Sequence, residues 1–293
     1  MEKILFIVNP VSGRGNGRRL ADFIIRRISR VGASVEPVVV FTSGKKDISR
    51  VVAGGLNQGI RKFVAVGGDG TVNEVASALV HTDGIMGIIP NGSGNGLARH
   101  LKIPRKVSSA LKIILGGRVC NIDYGLLDKQ AFFCVSGVGF DARIGDVYSA
   151  DKSRGFSSYA RAIVREYFKY KPQKYRLLID GKQKIRVRAL LITFANASQY
   201  GNNAFIAPGA DVSDGLLDVC ILRPFSIFSS PGIVCALFGK RLDRSSLLQT
   251  IKCREVEVRQ QNPGSAHYDG EPGKAGRKIR ISLVSQGLRV LVP

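Results

Sequence analysis

The chain has 293 residues, with 44 Lys+Arg against 22 Asp+Glu and a formal charge of +22. Hydrophobic residues at 44% and charged residues at 23% exclude intrinsic disorder, and 34 glycines without a Gly-X-Y period exclude collagen. No apolar run reaches the ~20 residues of a membrane-spanning helix, and the start MEKILFIVNP has no signal-peptide layout.

In chain order, Ile4-Leu5-Phe6-Ile7-Val8 is a continuous apolar run, the pattern of a strand buried on both faces. It ends in Asn9-Pro10-Val11-Ser12-Gly13-Arg14-Gly15-Asn16-Gly17. A helix follows, with Leu20, Phe23, Ile24, Ile28 and Val31 on one face, closed by Gly32. Further strands are expected at Val35–Phe41, Lys62–Val66 and Ile85–Ile89, with helices through Val51, Val52 and Leu56 and through Val72, Val75, Ala76 and Leu79. The last of these strands enters Pro90-Asn91-Gly92-Ser93-Gly94-Asn95-Gly96 and another helix. Strands alternating with helices predict an α/β domain with a doubly wound parallel sheet.

Beyond about residue 120 the pattern changes to an antiparallel, β-rich domain. Tyr175–Ile179 and Gln183–Phe194 read as two strands joined by Asp180-Gly181, a pair that tolerates the positive φ of a tight hairpin. Strands are also expected at Leu216–Leu222, Val256–Arg259, Lys278–Val284 and Leu288–Val292. Helices are expected around Tyr159–Tyr170 and Ile227–Leu237. The five cysteines, Cys120, Cys134, Cys220, Cys235 and Cys253, have no CxxC spacing and are expected as buried, reduced thiols of a cytoplasmic protein.

The charge points to a polyanionic partner, nucleic acid, an anionic membrane face or a phosphate-rich ligand, with a generic basic, soluble surface as the plain alternative. Zinc-finger spacings, RNP-like aromatics and a basic tail are all missing, which leaves nucleic acid without a recognition element. Three glycine-rich turns follow strands of one parallel sheet, at the edge where such folds bind ligands. Glycines let backbone N–H groups approach phosphate oxygens, and helix N-termini add favourable dipoles. Walker A and GxGxxG fingerprints are both lacking, so the expected phosphate site is of another kind.

Gly67-Gly68-Asp69-Gly70-Thr71-Val72-Asn73-Glu74, with NPVSGRG before it and PNGSGNGLAR after it, resembles the diacylglycerol kinase catalytic domain family, which includes sphingosine and ceramide kinases. Asp214-Gly215-Leu216-Leu217-Asp218-Val219 and Asp269-Gly270-Glu271-Pro272 extend the resemblance over essentially the whole chain. The resemblance implies an N-terminal domain like that of NAD kinases and phosphofructokinases, over residues 1–121 with about 286–293 because the last strand returns to it. It implies a C-terminal antiparallel β-sandwich domain for lipid and metal over 122–285.

Position by position, the resemblance implies an ATP site from Asn9, Thr42, Gly67, Gly68, Asp69, Gly70, Thr71, Val72, Asn73, Glu74, Gly92 and Ser93. Asp69 would repel a phosphate; it reads as a holder of Mg²⁺, as the orienter of a catalytic group, or as a structural turn carboxylate. Thr71 and Asn73 also fit a helix cap and first turn. Asp211, Asp214 and Leu216 match the family's structural magnesium loop, where the aspartate is a ligand and the other two give backbone oxygens; without the resemblance the segment is an ordinary Asp-Gly turn. In the family the glutamate of DGEP is the usual proton acceptor, so Glu271 is favoured here with Asp269 close behind. His267 reads as a packed neighbour.

The implied activity is that of a lipid kinase using ATP and Mg²⁺, with the nucleotide in the cleft between the domains. Diacylglycerol is the default acceptor. GSGNGLA (92–98) is nearer the sphingosine and ceramide kinases, whereas GVGFDARI (137–144) looks bacterial and puts Arg143 where a sphingoid amine would be unwelcome. The helix from about Phe156 carries Tyr159, Ile163, Tyr167 and Phe168 on one face and Arg161, Arg165 and Lys169 on another; it reads as core-packed, with an interfacial helix as the alternative. Phe225–Phe238 is expected in the core rather than against lipid. The protein is expected in the cytoplasm, peripheral at the inner membrane face, with a homodimer left open. A soluble NAD-kinase-like or sugar kinase and a non-catalytic sensor are the competing readings; neither accounts for the intact set of carboxylates together with DGLLDV and DGEP.

Overall fold

A computed structural model of the chain describes residues 1–31, 34–42, 45–150 and 165–293. They divide into two compact units, Met1–Asp123 with Ser285–Pro293, and Tyr124–Val284.

In the first unit, β1 (Glu2–Val8), β2 (Val35–Phe41), β3 (Lys62–Gly67) and β4 (Ile85–Pro90) form a parallel sheet in the order β2-β1-β3-β4. Ile4 to Val8 of β1 and Phe63 to Gly67 of β3 are all buried, which is why these strands read as unbroken apolar runs. The helices are α1 (Ser12–Gly15), α2 (Gly17–Val31), α3 (Lys45–Asn57), α4 (Asp69–Leu79), α5 (Gly96–His100) and α6 (Val107–Gly116). On α2, Ala21, Ile24 and Ile28 are buried while Arg18, Arg19, Arg26, Arg27 and Arg30 face out. Phe23, expected on the buried face, is exposed.

The second unit begins within β5 (Arg118–Leu127) and continues with β6 (Gln130–Phe132), β7 (Val135–Gly139), α7 (Phe140–Ala150), β8 (Gln173–Ile179), β9 (Gln183–Ala189), β10 (Leu191–Ala195) and β11 (Leu217–Leu222). A 3₁₀ turn (Ile227–Ser229) leads into α8 (Ser230–Phe238). The strands β12 (Leu248–Cys253), β13 (Glu255–Gln260), β14 (Gly264–Tyr268), β15 (Glu271–Ala275) and β16 (Lys278–Val292) complete the chain. One antiparallel sheet orders β12-β11-β10-β7-β14-β15; in the other the start of β16 pairs with β13, β13 with β8, and β8 with β9. Tyr175, Leu177, Val256, Val258 and Ile279 from one sheet pack on Ile192, Phe194, Leu217 and Val219 from the other, which makes a sandwich. The six-stranded sheet is apolar on its other face too, where Val135, Leu191, Ala195, Cys220 and Leu248 meet Phe140 and Ile144 of α7.

The α/β plus β-sandwich architecture is as the sequence implied, with local differences. Gln183–Phe194 is not one strand: Leu190 separates β9 from β10, which belong to different sheets. Lys278–Val284 and Leu288–Val292 are one strand, β16, which continues through Gln286 at φ 52°. Of the expected helix Tyr159–Tyr170, Tyr159 to Val164 lie outside the described residues; residues 165–169 are helical, with Tyr167 packed against the second core and Phe168 70% exposed. The Ile227–Phe238 segment is helical as expected, but none of its residues is buried, so it is not core. Among the cysteines, Cys134, Cys220 and Cys253 are buried, whereas Cys235 on α8 is exposed.

Candidate active site

In the first unit the three glycine-rich turns are joined to one another. Asn9 follows β1; its Nδ2 donates to Thr71 Oγ1 at 3.3 Å, and its Oδ1 accepts from Val11 N–H at 3.1 Å. Asn91 N–H donates to Gly67 O at 2.7 Å, and Asn91 Nδ2 donates to Ser12 Oγ at 2.8 Å. Gly68 and Gly92 meet backbone to backbone, so close that a Cβ on Gly92 would lie 2.5 Å from Gly68 Cα. Glycine is required there by the approach of two backbone segments rather than by φ.

Asp69 holds the second and third turns together. Its two carboxylate oxygens accept from Asn95 N–H at 2.8 Å and Gly96 N–H at 2.7 Å. Asn95, buried and left-handed at φ 54°, returns two hydrogen bonds to Gly92. This arrangement fits the structural reading of Asp69. Gly68 is the N-cap of α4, and Asp69, Gly70 and Thr71 form its first turn, where the dipole favours an anion. Thr71, Val72 and Asn73 are buried, and Val72 N–H already donates to Gly68 O at 3.0 Å, so the helix N–H groups left open are those of the first turn, up to Thr71. Gly68, Gly70, Glu74 and Gly92 are half-buried and Ser93 is exposed. Thr42 follows β2, with its N–H on Val8 O at 2.9 Å.

In the second unit, Asp269 and Gly270 are the two-residue loop between β14 and β15, with φ of 51° and 87°. Positive φ at both positions is the turn that matches strand twist, and Asp-Gly is suited to it. The Asp269 carboxylate accepts from three successive backbone N–H groups leading into β7, Phe133 at 2.9 Å, Cys134 at 2.8 Å and Val135 at 3.0 Å. A carboxylate engaged this way anchors a hairpin and has little lone-pair capacity left for a substrate proton. Glu271, the first residue of β15, is half-buried and opposite Tyr268.

His267 is buried in β14, its Nε2 3.2 Å from Asp141 Oδ2. The same oxygen accepts from Thr193 Oγ1 at 3.0 Å and Tyr200 OH at 3.1 Å. Burial holds the Tyr200 phenol well above its ordinary pKa, so it stays a donor. Of this network the sequence points to His267, as a packed neighbour, and to Asp141 within GVGFDARI; His267 is packed as expected.

The Asp211–Leu216 loop is arranged around a lysine. Lys252 Nζ lies 2.6 Å from Asp214 Oδ2 and 3.8 Å from Asp218 Oδ2, while Asp214 Oδ1 accepts from Leu216 N–H at 3.0 Å. Asp211 Oδ1 accepts from Ser213 N–H and Oγ. The hydrogen bond to Asp214 raises the Lys252 pKa, and burial raises that of Asp218. Among the described residues no group of three or more His, Cys, Asp or Glu could hold a metal ion. In this arrangement Lys252 supplies the positive charge opposite Asp214 and Asp218. Lys252 lies 38 residues beyond Asp214 on β12, out of reach of any local motif.

Residues 3–127 match the model of the diacylglycerol kinase catalytic domain, and residues 134–292 match that of the YegS C-terminal NAD kinase beta sandwich-like domain. The chain belongs to this lipid-kinase family. Among curated relatives, a diacylglycerol kinase of Mycobacterium tuberculosis is 29% identical over 99% of this chain and 95% of its own length. A probable YegS-like lipid kinase of Citrobacter koseri is 30% identical, over 88% of this chain and 87% of its own. The crystal structure of a putative diacylglycerol kinase from Bacillus anthracis superposes with a TM-score of 0.80 at 20% identity, covering 100% of this chain and 97% of that one, which shows the shared fold.

Proposed function

We propose that this lipid kinase transfers the γ-phosphoryl group of ATP to the hydroxyl of a membrane lipid, diacylglycerol in the first instance, with Glu271 as the base. The observation that carries this is the commitment of Asp269 to three backbone N–H groups, which leaves Glu271 as the carboxylate of the DGEP hairpin suited to receive a proton. The lipid oxygen forms its bond to the γ-phosphorus while the bond to the ADP oxygen breaks, and the hydroxyl proton passes to the Glu271 carboxylate. The joined turns around Gly68 and Gly92, with the start of α4, support a nucleotide phosphate site; Asn9, Thr42 and Ser93 are assigned to it on the family resemblance. Mg²⁺, when bound, supplies neutralising charge to the phosphates. Asp69, occupied by two N–H groups, positions the turns instead of holding that ion.

A sphingoid-base or ceramide acceptor is the second reading, and one observation bears on it. Arg143 is paired at 3.2 Å with Glu166, whose side chain is buried, so its charge is partly offset and weighs less against an amine, although the Arg143 side chain itself is 53% exposed. Incubation with radiolabelled ATP and a mixed membrane-lipid extract, followed by chromatography, identifies the acceptor. Labelled phosphatidic acid is the expected product, and label confined to a soluble acceptor would overturn the proposal.

A further inference from the structure

We infer that the Ile227–Phe238 segment is a membrane-seating element that enters the headgroup–acyl boundary of an anionic bilayer, an inference that rests on the lipid-kinase reading above. From Pro224 to Gly239 no residue carries a charge, and α8 is apolar on every side. A helix of that kind belongs in a core or in lipid. This one is not in a core: neither the 3₁₀ turn nor α8 has a buried residue, and Phe228 is 91% exposed, Val234 50% and Phe238 42%.

The element is nonetheless held firmly from one side. Phe225, Ile233, Ala236 and Leu237 lean on the core cluster of α7 and the six-stranded sheet, and Leu237 O accepts from Phe205 N–H at 2.9 Å. The exposed side chains are therefore presented on a fixed support. Nine residues of α8 are far too few to cross a bilayer, which limits the segment to lying in its surface.

The flanks identify the occupant. Arg223 precedes the segment, and Lys240, Arg241 and Arg244 follow it, with Asp243 the one acid among them. Apolar side chains bordered by cations match a surface of acyl chains beneath anionic headgroups. A second copy of the chain fits less well, because a two-fold interface would bring the same four cations toward their own equivalents.

The test uses the full chain with vesicles of phosphatidylcholine alone or mixed with phosphatidylglycerol, containing no substrate. An environment-sensitive dye on the exposed Cys235 should brighten and shift to the blue with the mixed vesicles. The triple variant Phe228→Ser, Val234→Ser, Phe238→Ser should keep its thermal midpoint but lose binding by about tenfold or more. It should still phosphorylate a short-chain, monomerically dissolved diacylglycerol like the unaltered chain. Equal co-sedimentation of the triple variant and the unaltered chain would overturn the inference. So would a change from dimer to monomer in light scattering with vesicle binding intact, which would assign the patch to a second copy. If the dissolved lipid is not phosphorylated by either protein, the kinase reading fails while the vesicle arm still decides this one.

Discussion

The two carboxylates of the DGEP hairpin sit two residues apart yet have different surroundings, so their removal should separate. Glu271→Gln is isosteric at a half-buried strand start; it should lower phosphoryl transfer by about 10²–10⁴-fold with little change in thermal midpoint. Asp269→Asn loses a charged acceptor for three N–H groups and should cost about 2–4 kcal/mol of stability, since each such bond is among the stronger kind. Stopped-assay kinetics beside thermal denaturation of both variants checks this. An Asp269→Asn enzyme as stable as its parent but inactive would reverse the assignment. The thiols differ just as sharply. Burial pushes Cys220 and Cys253 up to about 12, so at about pH 8 only about one in 10⁴ is a thiolate even before access is considered. Cys235, exposed on α8, should take a maleimide first, and Cys220 and Cys253 should react only when the protein unfolds. Peptide mapping after timed labelling reads the order directly.

Among elements, the parallel half was legible because strands buried on both faces leave apolar runs between glycine turns, as Ile4–Val8 and Phe63–Gly67 do. The antiparallel half was legible only where strands are branched and apolar. β15, with the sequence EPGKA, has no strand pattern of its own and is held by pairing with β14. The β9–β10 break falls inside an uninterrupted apolar stretch, so only the separation of the two sheets reveals it. The candidate site divides the same way. The glycine motifs announced the turns, but the roles of Asp69 and Asp269 depend on N–H groups 26 and 136 residues away, which no local spacing records. The turns also carry a prediction. Gly92→Ala would set a methyl 2.5 Å from Gly68 Cα, where the obstacle is backbone and cannot rotate aside. The two turns must part, so this variant should raise the KM for ATP at least severalfold while Gly116→Ala, with open space around it, should leave it unchanged. Steady-state kinetics on the pair provides the comparison.

At the scale of the whole molecule, the first unit is closed by the last residues of the chain. Arg289 and Val290 of β16 pair in parallel with Ile85 and Met86 of β4, and Leu288, Val290, Leu291 and Val292 are all buried. Asp123, itself 1% exposed, accepts from Gln286 N–H at 2.7 Å and fixes the strand where it enters this sheet. A chain ending at Val284 would lose these contacts and expose β4 as a new sheet edge. Four buried aliphatic side chains are worth about 1.5–3 kcal/mol each, which together rivals the ~5–15 kcal/mol that keeps a typical domain folded. The truncated protein should therefore lose protection of the β1, β3 and β4 amides from hydrogen exchange and should fail to bind ATP. The two sheets of the second unit have their own core, and amides of β8, β10, β11 and β13 should stay protected longer. Exchange mass spectrometry on the truncated and full chains distinguishes these outcomes by segment. Undiminished protection of β4 in the truncated chain would mean that the first unit does not need its returning strand.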